Sequence, residues 1–155
     1  MRRKSMAEED CSIARALDVA GDGWTLLILR DVGLNGLHRF DQLHENLGIA
    51  RNILTVRLQK LVERGIVETR LYQERPQRWE YHLTAKGRDF AHVLYALLSW
   101  GDRWAREGTE PPVRIEHAAC GESLIPTLAC PKCDAVVPLA ARRVVRRAAE
   151  RAQIA

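Results

Sequence analysis

Residues 39–64 read RFDQLHENLGIARNILTVRLQKLVER, and this stretch decides the fold. Apolar residues recur in it at helical spacing, first up to Leu47 and again from Leu54 onward, with Gly48 between the two runs. We therefore predict a short helix over 39–47, a tight turn, and a second helix over 51–64. Two helices joined in this way form a helix-turn-helix, whose second helix fits the major groove of B-form DNA.

The second of these helices has two different faces. An apolar face, which we expect to pack on the domain, is formed by Leu54, Leu58, Leu61 and Val62. The opposite face carries an amide, a hydroxyl and methyl groups, which can contact base edges; the predicted base contacts are Asn52, Thr55, Val56 and Gln59. The predicted phosphate contacts from this helix are Arg51, Arg57 and Lys60. The alternative is that both polar sets simply face solvent.

The flanking sequence completes a mainly α fold with a β-hairpin wing. Helices are predicted over 12–19 and 24–32, the second capped by Asp22. Strands over 66–72 and 79–83 flank a polar turn, which predicts a hairpin whose Arg75 and Arg78 reach phosphates or the minor groove. Thr84 is expected to cap one long final helix that continues to about residue 106.

Several motifs, in order, carry a family resemblance. They begin with the run from Cys11 to Asp31 and continue with Arg39-Phe-Asp-Gln-Leu43, Leu47-Gly-Ile49, Leu54-Thr-Val-Arg-Leu58 and Glu80-Tyr-His-Leu-Thr84-Ala-Lys-Gly87. Residues 11–108 thus resemble the HxlR-type winged helix-turn-helix regulators, which are relatives of the MarR type. Two positions depart from the family pattern, because Ser12 replaces a frequent proline and Gly23 replaces a larger residue. The resemblance implies a homodimeric transcriptional regulator that binds an inverted repeat near a promoter.

The resemblance also places the dimer contacts on the first and last helices. The last helix contains Trp100 and Trp104, which provide more apolar surface than a small helical core can cover. The alternative is that these tryptophans fold back onto Trp24.

Some proteins of this type sense electrophiles or oxidants through a cysteine at the Cys11 position. A thiol at a helix N-terminus is favoured as a thiolate, whereas the neighbouring acids Glu8, Glu9 and Asp10 oppose that charge. The alternative is a buried structural cysteine. The inducer, if there is one, is therefore expected to be an electrophile or an unidentified small molecule.

Composition is that of an ordinary globular protein. The 155 residues are 46% hydrophobic and 28% charged, which suits one domain with a small appendage. No apolar run reaches the roughly 18 residues of a membrane span, and the N-terminus has no apolar secretory segment, so we expect a cytoplasmic protein with no membrane partner. The chain has a net charge of +4, and all of it can be assigned to an arginine-rich tail over residues 139–155. This tail has five arginines and one glutamate.

A separate module is predicted over 113–138, after the break at Pro111-Pro112. His117 and Cys120 form one pair at two-residue spacing, and Cys130 and Cys133 form another. Such pairs suit a closed, structural Cys₃His site for one Zn²⁺, with the intervening residues forming a short hairpin. The alternatives are a redox dithiol, an iron–sulfur cluster, and a mobile extension whose ligands are never filled.

The sequence therefore predicts a dimeric, DNA-binding transcriptional regulator, acting as a repressor, with a zinc-binding extension. No catalytic triad, phosphate loop or dinucleotide motif is present, so we do not expect an enzyme. The alternative function is a winged-helix and zinc-ribbon module that docks on a protein of the transcription machinery. No internal repeat is visible in the sequence.

Overall fold

A computed structural model of the chain describes residues 10–145. The chain divides into two compact units, one ending at Ala105 and the other beginning at Arg106. Among the described residues, no helix combines the length and apolar character needed to cross a membrane. The arginine-rich tail lies outside the described residues from position 146 onward, as do Glu8 and Glu9.

The first unit is helical with one two-stranded antiparallel hairpin, as the sequence predicted. Its elements are α1 (Ser12–Ala20), α2 (Gly23–Gly33), α3 (Phe40–Leu47), α4 (Arg51–Glu63), β1 (Val67–Glu74), β2 (Gln77–Leu83), α5 (Ala85–Asp89) and α6 (Ala91–Trp104). This order matches that of a winged helix-turn-helix, in which α3 and α4 form the motif and the hairpin forms the wing.

Local chemistry sets the helix ends at the positions that matter for the motif. The Asp22 carboxylate accepts a hydrogen bond from the Thr25 amide at 3.1 Å, which confirms Asp22 as the N-cap of α2. Gly48 ends α3 with φ of 63°, a left-handed conformation that costs glycine little. The chain then turns in three residues, so that α4 begins at Arg51.

One core holds these helices and the base of the wing together. Its members come from α1, α2, α3, α4, β1, α6 and the turns between them: Ala20, Ile28, Leu29, Val32, Leu43, Ile49, Leu54, Leu58, Leu61, Ile66, Val67 and Leu94. Because α4 supplies three of these leucines, its orientation is fixed by apolar burial on one side.

A buried carboxylate links α2, the turn that follows it, and α3. Asp31 of α2 is fully buried and accepts hydrogen bonds at 2.8 Å from the side chains of Arg30, Asn35 and Asn46. Asn35 lies in the turn after α2, and Asn46 lies in the last turn of α3. The network therefore joins α2 to α3 through polar contacts in addition to the apolar core.

The hairpin is longer than the sequence indicated. Val67 pairs with Leu83 and Glu74 pairs with Gln77, which leaves only Arg75 and Pro76 at the turn in place of the predicted six-residue tip. A register shift between Leu71 and Gln73 accommodates the extension. The strands extend into polar sequence because the backbone makes the hydrogen bonds between them. An exposed hairpin therefore does not need apolar side chains near its turn.

The predicted single helix after Thr84 is wrong, because it is interrupted at Phe90. The Phe90 amide bonds the Gly87 carbonyl three residues back, which tightens the turn between α5 and α6. The Thr84 hydroxyl does cap α5, since it accepts a hydrogen bond from the Gly87 amide at 3.2 Å. Gly87 itself packs on the turn between α4 and β1, where an added Cβ would lie 2.2 Å from the Ile66 carbonyl oxygen.

The second unit contains a backbone repeat that the sequence did not reveal. Isolated bridges join Glu116 to Ser123 and Ala129 to Val136, thirteen positions further on. Matching amide bonds close the two loops, from His117 to the Glu122 carbonyl at 2.8 Å and from Cys130 to the Ala135 carbonyl at 3.0 Å. We call these loops knuckle 1 (116–123) and knuckle 2 (129–136).

The expected hairpin between the two ligand pairs is therefore wrong. Each pair lies inside its own small loop, because Gly121 and Asp134 adopt left-handed φ values of 74° and 55° and turn the chain back locally. After the knuckles, Leu139–Ala141 forms a single 3₁₀ turn.

Candidate functional site

The burial pattern of α4 separates its two faces as predicted. Leu54, Leu58 and Leu61 are at most 1% exposed, and Val62 is half-buried. The opposite side, which we call the reading face, is exposed and consists of Asn52, Thr55, Val56 and Gln59. A helix with this division can enter a DNA groove while its leucines remain in the core.

The Thr55 hydroxyl is partly engaged within the helix. It donates a hydrogen bond to the Arg51 carbonyl at 2.9 Å. Outward from the helix, Thr55 therefore offers its methyl group and an oxygen lone pair. Asn52 and Gln59 carry the amide groups that suit bidentate contacts with adenine.

The basic residues of α4 differ in their surroundings. Arg51 bonds Asp41 at 3.0 Å, and this pair is well exposed. Arg57 lies 3.4 Å from Asp22, and both side chains are more than two-thirds buried. Lys60 is exposed. An exposed ion pair is weak, so Arg51 can exchange Asp41 for a phosphate at little cost, whereas Arg57 is held at the start of α2.

The wing presents two arginines near its tip and is anchored at its base. Arg75 is exposed in the turn, and Arg78 is exposed in β2, where it pairs with Gln73. Nearer the body, Arg39 bonds Glu80 at 3.0 Å, and its guanidinium lies 4.4 Å from the centre of the Tyr72 ring. These contacts connect both strands of the wing to the start of α3.

Two groups in this anchor have shifted pKa values. The hydrogen bond from Arg39, with a smaller contribution from His82, lowers the pKa of the Glu80 carboxyl. Burial raises the pKa of the neighbouring Tyr81 hydroxyl. The lowered pKa favours the ionised form of Glu80, which is the form that bonds Arg39.

The outer helices leave an apolar surface uncovered in the single chain. On α6 a stripe at helical spacing is exposed, from Val93 and Leu97 to Trp100 and Trp104, of which the tryptophans are 62% and 65% exposed. On α1, Ile13 and Leu17 are also exposed. We call these six residues the apolar stripe. At this exposure the tryptophans are not covered by Trp24, as the alternative from the sequence would require, and Trp24 is itself 42% exposed.

Cys11 lies at the N-cap of α1 and is exposed rather than buried. Its carbonyl accepts a hydrogen bond from the Arg15 amide at 3.0 Å, which starts the helix. No side-chain hydrogen bond caps this helix, and Cys11 therefore stands at its positive end without capping it through the side chain.

The knuckles bring the predicted metal ligands together in pairs. His117 Nδ1 lies 3.2 Å from Cys120 Sγ in knuckle 1. In knuckle 2, the amides of Lys132 and Cys133 and the Cys133 thiol lower the pKa of the Cys130 thiol. Among residues 10–145, however, no three His, Cys, Asp or Glu side chains form a group that could hold a metal ion. The four predicted ligands are thus two pairs and not one cluster.

Sequence reasoning assigned no role to the residues that support the reading face and wing. Asp31 binds Asn35 and Asn46, and Arg39 binds Glu80 across 41 positions. The Asp31–Asn35 bond is local, but the Asp31–Asn46 and Arg39–Glu80 bonds have no signal in one sequence, since the tertiary fold forms them. In the sequence, Arg39 and Glu80 stand out only because they belong to the family motifs.

Comparison with known proteins agrees with this geometry. A family profile described as "HxlR-like helix-turn-helix" matches residues 19–109. An uncharacterised HTH-type transcriptional regulator of Mycobacterium tuberculosis, MT3179, is 43% identical over 122 residues, which cover 79% of this chain and 77% of the relative.

Solved structures extend the likeness. The structure of PA1607, described as a candidate transcription factor, has a TM-score of 0.79 at 34% identity and covers 93% of this chain and all of its own. Such coverage must include most of the second unit. The reduced form of the redox regulator HypR has a TM-score of 0.56 at 27% identity and covers 64% of this chain and all of its own.

The fold order, the exposed reading face and the family profile over more than half of the chain lead to one assignment. The chain belongs to the HxlR-like helix-turn-helix family, whose members are DNA-binding transcription regulators and not enzymes.

Proposed function

We propose that the chain is a homodimeric repressor that binds an inverted-repeat operator through α4. The observation that carries this proposal is the division of α4, whose leucines are buried while Asn52, Thr55, Val56 and Gln59 are exposed. In the proposed complex these four side chains contact base edges in the major groove. A dimer bound across a promoter would exclude RNA polymerase and so repress transcription.

The proposed phosphate contacts surround this face. Arg51 and Lys60 on α4 and Arg75 and Arg78 on the wing are exposed and need little rearrangement to reach a phosphate. Arg57 belongs to the proposed set as well, but it must first give up its ion pair with Asp22. We therefore expect a smaller loss of affinity from Arg57→Ala than from Lys60→Ala.

The apolar stripe supports the homodimer. Two exposed tryptophans and four aliphatic side chains on α1 and α6 leave apolar area in contact with water, which solvates it poorly. A second copy of the chain can cover it, and two α4 helices can then contact two half-sites. A dimer of this kind has the two-fold symmetry of an inverted repeat.

The test of DNA binding starts with selection of preferred duplexes from a random pool. We expect an inverted repeat whose half-sites are about 10 base pairs apart, centre to centre. Gln59→Ala should abolish the preference at one position of each half-site, at about 1–3 kcal/mol per contact. Lys60→Gln should weaken all duplexes alike and reduce the salt slope by about 2, one phosphate per half-site. Affinity without salt dependence would favour docking on a protein instead.

The dimer is tested by mass in solution. Wild type should sediment at twice the chain mass, and Trp100→Arg should shift it toward one chain mass. Trp79→Arg is the matched control, because Trp79 is 44% exposed but lies on the wing. Equal effects of both substitutions would contradict an interface formed by the apolar stripe.

We further propose that Cys11 responds to an electrophile or oxidant. Its exposure and its place at the uncapped start of α1 support this role, as does the likeness to a redox regulator. Alkylation should lower the operator affinity of wild type and leave that of Cys11→Ser unchanged. An equal loss in both proteins would exclude Cys11 from the response.

A further inference from the structure

The second unit has almost no core of its own. Among residues 106–145, its described part, none is buried, and Ile115 and Val137 are its half-buried aliphatic residues. Apolar burial of this size cannot hold a chain of some forty residues in one conformation. The knuckles nevertheless have well-formed turns and paired amide bonds, so another source of stability is required.

The two knuckles repeat one backbone pattern with chemically equivalent side chains. A shift of thirteen positions places His117 on Cys130 and Cys120 on Cys133. The Gly121 amide bonds the His117 carbonyl, and the Asp134 amide bonds the Cys130 carbonyl, both at 2.8 Å. Each loop therefore presents a metal-ligating side chain at its second position and a cysteine three residues later.

The separation within knuckle 1 suits zinc. Ligands at the usual Zn–N and Zn–S distances with a tetrahedral angle lie about 3.5 Å apart. His117 Nδ1 and Cys120 Sγ are 3.2 Å apart, so the pair needs only a small adjustment. Three thiols and one imidazole also select zinc over magnesium and calcium, which prefer oxygen ligands.

We propose that the second unit is a zinc ribbon in which His117, Cys120, Cys130 and Cys133 bind one Zn²⁺ and hold the two knuckles together. The thiols lose their protons on binding, which leaves three thiolates and a neutral imidazole around the ion. Because no three of these side chains are grouped now, binding requires the knuckles to close on each other. The segment between them, residues 124–128, contains neither a helix nor a bridge, so it can bend.

A thiol–disulfide enzyme at Cys130 and Cys133 is less consistent with the structure. Such dithiols lie at the start of a helix in a βαβ setting. The described part of the second unit has only isolated bridges and one 3₁₀ turn.

The first test is metal binding by the full chain, purified without a histidine tag. We expect about one equivalent of zinc per chain, measured by elemental analysis and by competition with a coloured chelator. Cys120→Ser and Cys133→Ser should each lower the zinc affinity at least about 100-fold. Cys11→Ser is the matched control and should keep wild-type affinity, because Cys11 lies outside both knuckles.

A second readout separates metal binding from general misfolding. Lys132 lies inside knuckle 2, so zinc should slow tryptic cleavage after it at least about tenfold relative to protein stripped with a chelator. Cleavage after Arg142, which lies beyond both knuckles, should change less than about twofold.

Three results would overturn the proposal. They are less than about 0.2 equivalents of zinc after equilibration with the metal, iron as the metal retained, or equal cleavage after Lys132 with and without zinc. These measurements do not involve DNA, so their failure would leave the proposed operator binding intact.

Discussion

Replacing Asp31 by alanine is expected to lower the free energy of unfolding of the first unit by about 3 kcal/mol. The buried carboxylate accepts three hydrogen bonds, each 2.8 Å long. Hydrogen bonds to a charged group contribute about 1.5–3 kcal/mol each. The three donors are partly exposed and can bond water when the carboxylate is removed. The expected loss of stability is therefore at the lower end of the range of about 3–5 kcal/mol that is typical of breaking a buried ion pair.

Asp31→Asn should cost less, about 1 kcal/mol. The amide has the same size, and Asn46 can rotate its own amide to offer an oxygen to the new NH₂ group. What is lost is the attraction between Asp31 and Arg30, whose guanidinium is 2.7 Å away. Both variants should remain folded, because a domain of this size has about 5–15 kcal/mol of stability.

The assay is urea unfolding followed by tryptophan fluorescence and far-UV circular dichroism. Asp41→Ala is the matched control, since Asp41 is also an aspartate paired with an arginine, but its side chain is 76% exposed. An exposed pair contributes at most about 1 kcal/mol. If Asp31→Ala costs no more than Asp41→Ala, the argument that the buried network stabilises the motif is refuted.

Two further predictions concern the wing and the contact of Gly87 with the turn between α4 and β1. At neutral pH, the Arg39–Glu80 bond should make the wild type more stable than Glu80→Gln. Because folding lowers the pKa of Glu80, this difference in stability should disappear as the pH falls below the ordinary glutamate value, near pH 4. Thermal unfolding measured at several pH values is the test. A difference unchanged at low pH would contradict this prediction. Gly87→Ala should lower the free energy of unfolding of the first unit by about 2–4 kcal/mol, because the new Cβ would meet the Ile66 carbonyl oxygen at 2.2 Å. A decrease below about 0.5 kcal/mol would show that the backbone relaxes freely around the new methyl group.

The helices of the motif could be predicted from the sequence because their signals are local. Helical spacing of leucines fixed the buried side of α4, and Gly48 marked the end of α3. These features depend on residues within one or two turns of each other, so periodicity is enough to find them.

Features formed by distant residues could not be predicted. The close packing of Gly87 against Ile66 joins residues twenty-one positions apart. The ion pair that holds Arg57 depends on Asp22, which approaches α4 only in the folded domain. Helical periodicity contains no information on either contact.

The knuckle repeat was hidden for a different reason. Over the ten positions that start at Ile115 and at Leu128, only Cys120 and Cys133 are identical. The repeat lies in the hydrogen bonds and in the left-handed residues Gly121 and Asp134. Both glycine and aspartate tolerate that conformation, so different sequences form the same loop.

Dimethyl sulfate protection on the selected operator tests the placement of α4 most directly. This reagent methylates guanine N7 in the major groove and adenine N3 in the minor groove. With α4 in the major groove, bound protein should protect N7 atoms in two half-sites about 10 base pairs apart, and Gln59→Ala should weaken that protection. Tight binding that leaves every N7 reactive would show that the exposed side of α4 does not enter the groove.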